Sequence, residues 1–137
     1  MPSQHELDTC YMKVALAHSE LSKANRKKVG ACLVTPSGVI IPGYNGTPAG
    51  WDNVCEYNNV TSPYVIHAEL NCLLKSAKEG VSIAGSNIYV TLSPCQQCSA
   101  MIAQAGISEV VYLEEYRDKT GIYELMKNNV KVRKFVV

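Results

Sequence analysis

The chain has 137 residues, enough for one well-filled core and too few for two ordinary domains, so a single domain spanning residues 1–137 is expected. Apolar residues make up 47% and charged residues 18%, the proportions of a globular protein rather than a disordered or fibrous one. Lys and Arg number 13 against 12 Asp and Glu, which argues against a broad polyanion-binding surface, and so against a nucleic-acid partner, while leaving room for a local phosphate site.

The N-terminal MPSQHELD has no basic segment followed by an apolar core, so no secretory signal is expected and a cytoplasmic location is. No apolar run approaches the ~20 residues that span a bilayer, so no membrane partner is expected either. Residues 4–21 carry Leu7, Tyr11, Val14, Ala17, His18 and Leu21 at helical spacing, with His18 read as a hydrogen-bonded packing residue. Gly30–Thr35, a Pro36-Ser37-Gly38 turn and Val39–Ile41 predict a β-hairpin, and a Gly- and Pro-rich loop runs from there to residue 64. A helix is expected from His67 to about Lys78, stopped by Gly80, then a buried strand over Asn87–Leu92 and a helix from about Cys95 to Ala105. A strand at Glu109–Leu113, a helix at 118–128 and a strand at Lys131–Val137 complete the order αββαβαβαβ, which predicts an α/β fold: a mixed sheet covered by helices on both faces.

Six cysteines lie at 10, 32, 55, 72, 95 and 98. Without an export signal they read as reduced thiols, Cys10 and Cys32 as small core residues, and the Asn59-Val60-Thr61 sequon has no glycosylation meaning. Ser93-Pro94-Cys95-Gln96-Gln97-Cys98 contains a C-x-x-C, which alone fits a redox pair, metal ligands or two incidental thiols. His67 chooses between them, because it too begins a predicted helix, and two helix N-termini aimed at one cavity favour thiolates. Two thiolates and an imidazole are three ligands, the number that a catalytic zinc keeps while leaving its fourth position open. A structural zinc would need a fourth ligand, for which Cys55 or Cys72 could serve. Glu69, two residues after His67, is more useful outside the ligand set, where it can take a proton from activated water and deliver it elsewhere. The arrangement H-x-E…P-C-x-x-C is the signature of zinc nucleobase deaminases, and His67, Glu69, Pro94, Cys95 and Cys98 match it.

The remaining residues address the substrate. Val29-Gly30-Ala31, Gly43-Tyr44-Asn45-Gly46 with Pro48 and Gly50, His67-Ala68-Glu69-Leu70-Asn71, Tyr89–Leu92 and Gln104–Ile107 together resemble the deoxycytidylate (dCMP) deaminase family, bacteriophage members included. The resemblance implies a three-layer α/β/α cytidine-deaminase-like fold with a mixed five-stranded sheet, and hydrolysis of dCMP to dUMP and ammonia. It implies that Glu69 is catalytic, that His67, Cys95 and Cys98 bind one Zn2+ per chain, and that Ala68 and the Ser93 carbonyl meet the base. It also implies that Asn45 hydrogen-bonds the deoxyribose 3′-hydroxyl and that Arg26 meets the phosphate, with Tyr116 and Arg117 as further contacts; Lys27 and Lys28 read as solvated charges. Family members are commonly homohexamers, activated by dCTP and inhibited by dTTP with Mg2+, which points to Gly46, Pro48, Gly50 and Asp52 as effector contacts and, for a phage-encoded protein, to the host cytoplasm. Some relatives hold a second, structural zinc near this loop, but residues 50–66 contain no histidine. A free cytidine deaminase, a tRNA adenosine deaminase and a non-catalytic zinc-stabilised nucleotide-binding protein are the competing functions.

Overall fold

Strands that are apolar on both faces demand cover on both sides, and the computed structural model, which describes residues 1–137, shows how it is supplied. The elements are α1 (Gln4–Ser19), β1 (Gly30–Val34), β2 (Ile40–Tyr44), β3 (Glu56–Tyr57), β4 (Val60–Thr61), α2 (Ala68–Glu79), β5 (Asn87–Leu92), α3 (Gln96–Gln104), β6 (Glu109–Glu114), α4 (Thr120–Lys127) and β7 (Lys131–Lys134). Five strands form one sheet in the order β2-β1-β5-β6-β7, with β1 antiparallel to both neighbours and β5, β6 and β7 parallel. Side chains alternate across it as a period of two requires. Leu33, Ile88, Val90 and Val110 pack with Cys72, Ile102 and Leu125 from α2, α3 and α4. Cys32, Val34, Tyr89 and Val111 face the other way, onto Met12 and Ala15 of α1. The result is the expected three-layer α/β/α arrangement around a mixed five-stranded sheet.

Helix α1 begins at a capping box, in which the Ser3 hydroxyl accepts from the Glu6 N–H and the Glu6 carboxylate accepts from the Ser3 N–H. Its buried stripe is Asp8, Met12, Ala15 and Ser19, about one residue round from the stripe the sequence predicts. Leu7, Tyr11 and Val14 are only half-buried, and Ala17 and Leu21 are exposed. Apolarity misjudged the face because two of its four inward positions are polar, each with a partner: Asp8 meets Arg133, and the Ser19 hydroxyl donates to the Leu16 carbonyl. Two further expectations fail here. His18 packs half-buried with its Nδ1 unpartnered, and Cys10 is exposed, leaving Cys32 as the core thiol of that pair.

The segment read as a loop up to residue 64 contains a second, two-stranded sheet, β3–β4. Its turn is Asn58-Asn59, with φ of 54° and 62°. Two successive positive φ values are what a two-residue hairpin turn needs, and asparagine tolerates them better than most residues. The aromatic and β-branched flanks, Tyr57 and Val60, were the available signal. Elsewhere the boundaries agree closely: α2 stops at Gly80 in the left-handed conformation, φ 69°, β5 covers Asn87–Leu92 as expected, and β7 ends at Lys134 rather than Val137.

Candidate active site

Parallel strands bring their carboxyl ends to one edge of a sheet, where the chain turns into helices. Strand β5 ends at Leu92, Ser93 and Pro94 follow, and Cys95 is the N-cap of α3, with extended backbone. His67 is the N-cap of α2 and is extended too. Each therefore stands just outside its helix rather than as the first helical residue expected from sequence. The Cys95 sulfur accepts from the Cys98 N–H at 3.4 Å, which caps α3 and fixes the C-x-x-C geometry. A glycine supports this turn from outside: a Cβ on Gly121 of α4 would stand 2.1 Å from the Pro94 carbonyl oxygen, so only glycine lets α4 lie against the Pro94-Cys95 backbone.

The donor atoms of His67, Cys95 and Cys98 all lie within 4.8 Å of one another, with His67 Nδ1 3.1 Å from Cys98 Sγ and 3.6 Å from Cys95 Sγ. Hydrogen bonding to Cys98 and His67 outweighs burial and holds the Cys95 thiol down at about 4, while the proximity of Cys95 and burial push Cys98 up. The hydrogen bond to Cys95 raises the His67 imidazole above its ordinary value. Two thiols, one of them poised as thiolate, and an imidazole make a donor set suited to Zn2+. Cys55 and Cys72 are not part of the cluster; Cys72 lies in the core, where burial pushes its thiol up to about 12.

Glu69, in the first turn of α2, is 3% exposed and is not among the converging donors. Burial pushes its carboxyl up to about 7, against the lowering influence of its own backbone N–H and of His67. No lysine or arginine pairs with it. A carboxyl near 7 exchanges protons in either direction at neutral pH, which is what a group serving as both acid and base needs.

A cavity of about 260 Å³ opens in front of these residues. Of the residues singled out from sequence, His67, Glu69, Cys95, Ala68 and Ser93 line it, together with Asn45, Arg26 and Tyr116. Cys98 joins through the donor cluster, while Arg117 is exposed and lies outside the lining. Tyr116 is tied to the site through its backbone, its N–H donating to the Ser93 hydroxyl at 2.6 Å. Asn45, for which a sugar contact is expected, is bonded within the protein: its Oδ1 accepts from the Val29 N–H at 2.8 Å and its Nδ2 donates to the Lys27 carbonyl at 2.9 Å. One N–H and one lone pair of that amide remain for a ligand. Lys27, read as a solvated charge, also lines the cavity and pairs with Glu114 at 2.6 Å. Glu56 and Thr61, which no motif reasoning selected, complete the polar wall.

A second cavity of about 290 Å³ lies under the loop after β2, lined by Gly46, Pro48, Gly50 and Trp51, with Lys23 as its charged residue. Asp52 is not in that lining; its carboxylate accepts from the Val54 N–H and its carbonyl from the Thr47 hydroxyl. Gly46 spends both backbone groups on Ile66, at 3.1 and 2.8 Å, directly before His67.

Residues 5–114 match the model of the cytidine and deoxycytidylate deaminase zinc-binding region. The chain belongs to this deaminase family. It is 32% identical over 160 residues to the deoxycytidylate deaminase of Enterobacteria phage T4, an alignment covering 85% of this chain and 83% of that one. It is 38% identical over 118 residues to the deoxycytidylate deaminase of Homo sapiens, covering 79% of this chain and 65% of the relative. The crystal structure of the dCMP deaminase from cyanophage S-TIM5 in complex with dCMP and dUMP superposes with a TM-score of 0.91 at 46% identity, over 97% of this chain and 99% of that one. The matched span, residues 5–114, contains the His67, Cys95 and Cys98 cluster.

Proposed function

We propose that the chain hydrolyses dCMP to dUMP and ammonia, supplying the precursor of dTMP. The observation that carries this reading is the three-donor cluster with a buried acid beside it but outside it, in a cavity that Arg26 and Lys27 also line. Relatives named for the same reaction, and a structural neighbour described with dCMP and dUMP, support it.

His67, Cys95 and Cys98 hold one Zn2+ per chain, which when bound supplies a Lewis acid that makes water acidic enough to act as a nucleophile near pH 7. Glu69 is placed to take one proton from a water in the cavity and to return it to N3 of cytosine as the water oxygen bonds to C4. Glu69 then passes the proton left on the oxygen at C4 to the exocyclic nitrogen, the C4–N bond breaks as the C4 carbonyl forms, and ammonia leaves. The Ser93 carbonyl accepts from the exocyclic amine and so prefers cytosine to uracil, Ala68 borders the base, and Asn45 offers its spare amide valences to the 3′-hydroxyl. Arg26 pairs with the phosphate, with Tyr116 beside it.

Activation by dCTP, inhibition by dTTP with Mg2+, and assembly as a homohexamer form part of the same proposal. The loop cavity offers a triphosphate one cation of its own, Lys23, so the effector's charge calls for Mg2+ or a second subunit.

Ammonia release from dCMP, deoxycytidine and a tRNA anticodon loop, with zinc measured on each sample, tests the reading. Turnover of dCMP well above deoxycytidine, with none on tRNA, is expected. Equal turnover of dCMP and deoxycytidine removes the phosphate reading, and activity on tRNA alone replaces the substrate.

A further inference from the structure

Residues 22–29 join α1 to β1 without regular structure, so their backbone groups need partners from elsewhere. Two side chains supply them. Asn45 holds the second half of the loop, through Lys27 and Val29. Glu56 holds the first half: its carboxylate accepts from the Asn25 N–H at 3.1 and 3.0 Å and from the Arg26 N–H at 3.0 Å. Directly across the β3–β4 hairpin from Glu56 stands Thr61, whose hydroxyl accepts from Arg26 Nη1 at 3.4 Å. Cross-strand partners project to the same face of a hairpin, so one small sheet offers two acceptors to a single residue, one for its main chain and one for its guanidinium.

We propose that Glu56 is the positioning residue for Arg26, assisted by Thr61, and that the β3–β4 hairpin thereby sets the preference for a phosphorylated over an unphosphorylated nucleoside. The inference rests on reading Arg26 as the phosphate-binding cation. A carboxylate in the wall of a phosphate site would ordinarily repel the ligand. Here its charge is committed to backbone N–H donors, and it forms no ion pair with the Arg26 guanidinium, which stays available for an anion. The hairpin's other two strand residues, Tyr57 and Val60, are exposed, so Glu56 and Thr61 are the pair that it turns toward the loop and the cavity.

Kinetics on dCMP and deoxycytidine with Glu56→Gln, Thr61→Val, Arg26→Ala and the Arg26→Ala/Glu56→Gln double variant test the proposal, with Tm and zinc content checked for each. Glu56→Gln keeps the size but turns an N–H2 toward backbone donors, and should lower kcat/KM on dCMP about tenfold, mostly through KM, against about threefold or less on deoxycytidine. Thr61→Val, which leaves the Glu56 contacts intact, should show the same selectivity at about two- to threefold. In the Arg26→Ala background Glu56→Gln should add almost nothing. Equal losses on the two substrates, full additivity in the double variant, or a gain on dCMP from removing the carboxylate would each overturn the positioning role while leaving Arg26 in place. If Arg26→Ala itself affects both substrates alike, the phosphate reading fails and this inference fails with it.

Discussion

Two carboxylates, Asp8 and Glu69, are buried on opposite faces of the sheet, 4% and 3% exposed, yet one is held at about 2 and the other at about 7. Burial raises both. Asp8 sits among Arg133, Tyr89 and Gln4, with Arg133 Nη1 at 2.7 Å, and their hydrogen bonds and charge outweigh the desolvation; Arg133 also binds Glu109, so α1, β5, β6 and β7 are joined. Glu69 has no cationic side-chain partner except the neighbouring imidazole, so desolvation prevails. The difference shows that a buried acid becomes a structural anchor or a proton carrier according to its partners, not its depth.

The largest break in this comparison comes on the Glu69 side. Cys98→Ala removes one of three donors, and both zinc content and ammonia release should fall to background while Asp8's network keeps the sheet together. Retained zinc with full activity would mean that the cluster is not the metal centre.

Next is Asp8→Asn, which leaves Arg133 with Glu109 as its one acidic partner and should cost roughly 2 kcal/mol of stability by denaturant unfolding. kcat/KM should change less than about twofold, since Asp8 lies across the sheet from the cavity. A selective loss of activity with stability unchanged would contradict the division of labour.

The same pair predicts an acid transition. A carboxyl whose folded pKa lies below its unfolded one adds stability above the unfolded value of 3.8 and loses it as pH falls through about 2. The shift corresponds to about 2 kcal/mol, absent from Asp8→Asn over the same range. Parallel acid unfolding curves for the two proteins would show that the network contributes nothing.

Much of the site was legible because its chemistry demands particular residue types at short spacings. His67, Glu69, Cys95 and Cys98 lie in two local segments, and each segment carries its own strand-to-helix or loop-to-helix signal. The central strands were legible too, since a sheet covered on both sides leaves continuous apolar runs such as Asn87–Leu92. What escaped depends on pairings distant in sequence. Asp8 turns the inward face of α1 only because Arg133, 125 residues away, meets it. Lys27 enters the cavity wall through Glu114, and Glu56 acquires meaning only from the loop it holds 31 residues earlier. Gly121 lies inside the helix expected at 118–128, and only the Pro94 backbone packed against it calls for glycine there.

The smallest effect on stability belongs to Glu69→Gln. A carboxyl whose folded pKa is raised adds stability in acid and loses it as pH rises through about 7, so a neutral amide of the same shape should leave Tm at pH 8 unchanged or higher. Zinc content and ammonia release from dCMP, measured together on one Glu69→Gln preparation, bear most directly on the separation of metal ligands from proton carrier. The arrangement predicts one zinc per chain with turnover reduced by at least about a thousandfold. Loss of the zinc along with the activity, or turnover near the unmodified level, would contradict it.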